Sequence, residues 1–155
     1  MTNKQYEVKE YLSSLRFAES MIRIKLEKIE ETRELALRVN QALRPDHVQG
    51  GSRKNIVEEA AIKVADLTIQ LEKQVDEYKK LQKNVMELIN AVSDDTQRKV
   101  LELRYIHFMK WEKICDLLSY DRTWISRIHN RGIKAMISDY DKLVRSNKKQ
   151  HKDVV

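Results

Sequence analysis

The chain has 155 residues, 41% hydrophobic and 35% charged, with a net charge of +6, which fits one ordinary domain, or a small domain with an extended appendage, and only a thin core. Three glycines and one proline are too few for a strand-rich fold, which needs turn residues every eight to twelve positions, so the composition predicts an all-α protein. No run of about 18 apolar residues is present to span a bilayer, the opening MTNKQYEVKEYLSS has no apolar signal core, and a single cysteine, Cys115, excludes an internal disulfide and suits a reducing cytoplasm.

The first element is a long helix with a seven-residue rhythm through Leu12, Leu15, Ile22, Leu26, Ile29, Ala36 and Leu43. Polar Glu19, Arg33 and Asn40 fall on intervening seam positions. The rhythm breaks at RPDHVQGGSR, residues 44–53, which holds Pro45 and the Gly50–Gly51 pair; proline cannot continue a helix, and glycine supports angles other residues avoid. A cleaner rhythm follows: Val57, Ala60, Val64, Leu67, Leu71, Gln74, Tyr78, Leu81, Val85, Leu88 and Val92. Steps of three and four sustained over five heptads predict a coiled-coil seam. Each segment is roughly 35 residues, about 50 Å of helix, and the short loop can fold them into an antiparallel hairpin over 1–93. Neither stripe is buried by one helix alone. Pairing within the chain and pairing as a homodimer through the coiled coil both satisfy this, and the pattern does not choose.

A new helix is expected after AVSDDTQ, capped by Ser93 or Asp94. In TQRKVLELRYIHF, the residues Val100, Leu101, Tyr105 and Phe108 are available for a compact core. Next comes KWEKICDLLSYDRTWISRIHNRGIKAM, Lys110 to Met136, which reads as a helix-turn-helix. Its first helix covers about Lys110 to Leu118, with Ile114, Cys115 and Leu118 inward. SYD makes the turn, and Asp121 caps a second helix from Arg122 to about Ser138. Ile125, Ile128, Gly132 and Met136 form its buried stripe; Thr123, Arg127, Asn130, Arg131 and Lys134 lie roughly opposite. Beyond about Tyr140 the periodicity weakens, and a basic, disordered tail is expected over 141–155.

Charge follows this division. Residues 1–93 carry 16 Lys and Arg against 15 Asp and Glu, and residues 94–155 carry 14 against 9. A surplus confined to one region points to a polyanionic partner there. The major groove of double-stranded DNA accepts an α-helix, and a helix apolar behind and cationic in front suits it. Arginine can pair with guanine O6 and N7, worth ~1–3 kcal/mol of discrimination; Arg122 and Arg127 are placed for this, and Thr123 and Ser126 for other base edges. Lys110, Lys113, Trp124, Asn130, Arg131 and Lys134 are expected on the DNA backbone, where contacts position the protein and make binding salt-dependent. An amphipathic helix with a merely solvated charged face has the same spacing.

The stretch VLELRYIHFMKWEKICDLLSYDRTWISRIHNRGIKAM resembles region 4 of the sigma-70 type factors, through Leu101, Leu103, Arg104, Tyr105, Ile114, Leu117, Leu118, Tyr120, Ile125 and Ile128. Ser119 stands where that family has a turn glycine, and Cys115 where it has alanine. With YLSSLRFAESMI at Tyr11 to Ile22, the layout is similar to the sigma-like late-gene activators of Gram-positive phages, the ArpU and RinA type. The resemblance implies a helix-turn-helix reader of promoter DNA, Arg122, Thr123, Ser126 and Arg127 at the base-contacting positions, host RNA polymerase as a partner, and the host bacterial cytoplasm as location. The sigma regions that melt DNA have no counterpart, so a regulator is implied rather than a complete sigma factor. Two other classes share parts of the pattern: a phage small terminase subunit, which recognises DNA for packaging, and a coiled-coil adaptor that binds no DNA.

Four scattered histidines (His47, His107, His129, His151) and one cysteine give no metal-ligand spacing. His129 falls on the second helix, either packed or facing the DNA backbone. Trp111 is expected to seat the first helix. No phosphate-binding glycine loop, nucleophile elbow or catalytic acid pair is present, so neither an enzyme nor a cofactor is expected.

Overall fold

The computed structural model describes residues 1–42 and 52–153, with side chains described outside 52–54. Every element among them is helical: α1 (Asn3–Gln41), α2 (Ser52–Asn90), α3 (Asp95–Tyr105), α4 (Trp111–Leu118) and α5 (Arg122–Asp153). Leu43, His47 and the loop features Pro45 and Gly50–Gly51 lie outside the described residues; α2 already begins at Ser52. No helix among the described residues is long and apolar enough to cross a membrane.

The chain forms two compact units, Ala18–Lys79 and a composite of Met1–Phe17 with Lys80–Val155. The first is an antiparallel hairpin within one chain. Lys25 Nζ donates to Gln70 Oε1 at 3.0 Å, and nearer the loop Thr32 and Ala36 share a groove with Val57, Ala60 and Val64. The α2 seam is as periodicity predicts: within this unit Leu67 is buried, and Val57, Ala60, Val64, Leu71, Gln74 and Tyr78 are half-buried. On α1 the register differs. Leu26 is exposed, and Thr32 and Val39 occupy the seam in place of Arg33 and Asn40. A 3.5-residue repeat drifts around a helix of 3.6 residues per turn, and Thr32 satisfies its hydroxyl locally by donating to Lys28 O at 2.8 Å.

The composite unit is built on α3, α4 and α5. Val100, Leu103, Ile114, Ile125 and Ile128 form its centre, with Met109, Trp111, Cys115 and Leu118 against it. The start of α1 and the end of α2 belong to this unit too, with Val8, Leu12, Leu15, Val85, Leu88, Ile89 and Val92 all buried. The division therefore falls inside both long helices rather than at residue 93. The physical reason lies in contacts made far along the chain. Tyr11 meets Tyr140 edge-on at 5.4 Å, and Lys4 Nζ pairs with Asp141 at 2.8 Å. These contacts also bear on the tail. α5 continues to Asp153, past the end near Tyr140, so residues 141–153 are helical rather than disordered. No glycine or proline follows Gly132, Leu143 and Val144 are half-buried, and lysine and glutamine are good helix formers.

Candidate nucleic-acid interface

The interface is assembled from local signals. Asp94 caps α3, its Oδ1 accepting from Gln97 N at 2.8 Å. Four buried residues, Val100, Leu101, Leu103 and Tyr105, hold α3 in place; Phe108 is only half-buried, in the turn after it, at φ 53°. Arg104 closes that turn by donating to Met109 O at 3.0 Å. In α4, Ile114 is fully buried, and Cys115 and Leu118 are half-buried. Ser119 ends α4 in the left-handed region at φ 58°, ψ 39°, where glycine is the least strained residue. The position costs a non-glycine residue roughly 1–2 kcal/mol. Asp121 then caps α5, accepting from Trp124 N at 2.7 Å.

The two faces of α5 differ as the spacing predicts. Ile125, Ile128, His129, Gly132, Ile133 and Met136 are buried. Arg122, Thr123, Ser126, Arg127, Arg131 and Lys134 are exposed, and Asn130 is half-buried. Among the described residues no carboxylate lies within ion-pairing distance of Arg127, Arg131 or Lys134. Trp124 is 40% exposed, with the Arg131 guanidinium 6.0 Å from its ring centre. Gly132 permits the close approach of α3: a Cβ there meets Leu101 Cδ1 at 2.8 Å.

A cation–aromatic stack fixes the start of α5. Trp111 has the Arg104 guanidinium 4.7 Å from its ring centre and that of Arg122 at 5.1 Å, and His129 lies edge-on at 4.9 Å. His129 is on the buried side of α5. It is 4% exposed, because Tyr105 and Asn130 satisfy both its ring nitrogens. Burial, with further repulsion from Lys9, Arg104 and Arg122, lowers its pKa to about 4, so the ring is neutral. Asn130 Oδ1, 3.2 Å from Nδ1, can only accept. The proton therefore sits on Nδ1, and Nε2 accepts from the Tyr105 hydroxyl at 2.7 Å. Burial raises Tyr105 to about 12, which keeps it a donor.

Two cavities flank Arg122. One, of about 560 Å³, has Arg104 and Lys110 but also Glu112, Asp116 and Asp121 on its wall. The other, of about 280 Å³, is bounded by Tyr6 and Lys9 from α1 and by Arg122, Ser126 and Asn130 from α5. The structure thus brings Arg122 together with Lys110 on one side and with Ser126 and Asn130 on the other. Lys113 is exposed on α4 and lines neither cavity. Arg104, Tyr6 and Lys9 are neighbours that spacing does not reveal; for Lys9 no local signal exists, because the α4 and α5 residues it meets at the cavity are more than a hundred residues away.

Residues 37–137 match, as a block, the family described as Protein of unknown function (DUF1492). The chain belongs to that family. The DUF1492 match closes one residue after Met136, the last buried residue of α5, and so takes in α3, α4 and the whole two-faced part of α5. Its beginning at Leu37 leaves the α1 residues that line the smaller cavity outside the matched span. No curated protein and no solved structure matches the chain.

Proposed function

We propose that this DUF1492 protein is a sequence-specific, double-stranded DNA-binding transcriptional regulator in which α5 enters the major groove. The observation that carries this is the exposed row Thr123, Arg127, Arg131 and Lys134 on a helix whose opposite side is fully packed. A merely solvated face usually carries mixed charges; here the row is cationic or hydrogen-bonding throughout. Arg122, Thr123, Ser126 and Arg127 are the base contacts, and Lys110, Lys113, Trp124, Asn130, Arg131 and Lys134 the backbone contacts. The sigma-like sequence pattern supports a promoter target and RNA polymerase as a second partner, as in a late-gene activator of a phage. Retention of fragments from a random duplex pool tests the reading. The retained fragments should converge on one sequence, and binding should weaken steeply as salt rises. A pool that stays random after repeated rounds overturns the proposal.

A further inference from the structure

We infer that Lys9, with Tyr6, makes the start of α1 part of the DNA-binding surface, holding a backbone phosphate in the small cavity beside Arg122, Ser126 and Asn130. The inference rests on the reading that α5 meets a duplex, and it adds a phosphate-binding site contributed by a helix more than a hundred residues away.

Three features distinguish this cavity from its larger neighbour. No carboxylate is among its walls, whereas the larger one has three. Lys9 borders it from α1 and Asn130 from α5, so an anion there meets a cation and an amide from separate helices. Its donors are also oriented. Asn130 Oδ1 is engaged by His129 Nδ1–H, which leaves the amide NH₂ as its free end, and an NH₂ group donates only. Tyr6, 52% exposed, adds a hydroxyl donor. Phosphate oxygens only accept, so donors from a lysine, an amide and the Tyr6 hydroxyl match them. α1 is itself anchored against α5 in this unit by the Lys4–Asp141 ion pair and the Tyr11–Tyr140 contact, which places Lys9 before DNA arrives.

The experiment is a salt titration of binding to a labelled random-sequence duplex and to the selected site, comparing wild type with Lys9→Gln, Lys9→Arg and the control Lys63→Gln. K63Q removes an exposed charge from the hairpin unit. K9Q should weaken both duplexes by the same factor and lower the slope of log K against log salt by about one. K9R should restore the slope, and K63Q should leave it at the wild-type value. Circular dichroism checks that each variant keeps wild-type helicity. A wild-type slope in K9Q overturns the inference while leaving the proposed function standing, and so does an equal loss in K63Q, which would show only diffuse attraction. A wild-type protein that binds neither duplex overturns both.

Discussion

The hairpin unit and the composite unit use similar apolar residues with different results. In the hairpin, only Ile29, Thr32 and Leu67 are buried among the described residues, while Leu35, Leu37, Ile62 and Ile69 are each more than half exposed. In the composite unit Val100, Leu101, Ile114, Ile125 and Ile133 are at 0%. Two helices shield one another along a single line. A third packing direction removes a side chain from water altogether. The packed unit can therefore hold α5 rigidly enough to present a defined face, which is what base reading requires.

This comparison can be broken by truncation. Ile125→Ala removes a fully enclosed side chain from the packed unit and should cost about 4 kcal/mol, against about 2 kcal/mol for Leu67→Ala in the hairpin. Urea unfolding followed by circular dichroism measures both, and equal losses would mean that the two units are packed alike.

Buried polar groups sharpen the contrast. His129 has both nitrogens satisfied, but its proton affinity is low. An ordinary imidazole titrates near 6.5 and this one near 4. Between those values the unfolded chain takes up the proton and the folded chain does not, so stability should fall as pH drops from 6.5 to 4 and be independent of this group above 6.5. The loss by pH 4 is on the order of 3 kcal/mol. It should be missing from the stability curve of His129→Gln and stand alone in the difference between wild type and variant, because the carboxylates that titrate in the same range are common to both. Gln74, in the hairpin, has the opposite problem: its Oε1 is shielded without a hydrogen-bond partner. Gln74→Leu should raise stability by about 1–2 kcal/mol, since it removes an unsatisfied acceptor from an apolar seam; a lower thermal midpoint would show that the glutamine is satisfied in solution.

The smallest expected effect is at the turn. Ser119→Gly should stabilise the protein by about 0.5–1 kcal/mol by relieving the left-handed backbone, less the glycine's own entropy cost. A stability loss would mean that the serine side chain contributes more than its strain removes.

Legibility differed between the regions for physical reasons. The α2 seam could be read because its apolar residues recur without a competing choice. On α1 each drift of the repeat offered two adjacent candidates, Thr32 or Arg33 and Val39 or Asn40, and a local hydrogen bond made the threonine buriable. The turn of the helix-turn-helix, the Asp121 cap and the buried stripe of α5 are local events and were legible. Ile133 was missed in that stripe, and His129 was left between packed and exposed because a polar residue joins a core only through partners that spacing cannot name. The contribution of residues 1–17 to the packed unit has no local signature at all. Helix α5 runs on past Tyr140 because that distant segment packs on it.

The central claim is that the first two turns of α5, with Arg122 and Arg127, read bases. The most direct test compares wild type with the Arg122→Ala, Arg127→Ala double variant on the selected duplex and on a copy with the selected site scrambled. The variant should keep its helicity and its weak, salt-sensitive binding to the scrambled duplex while losing its preference for the selected one, at ~1–3 kcal/mol per arginine contact. Undiminished preference in the double variant, with the same footprint as wild type, would contradict it.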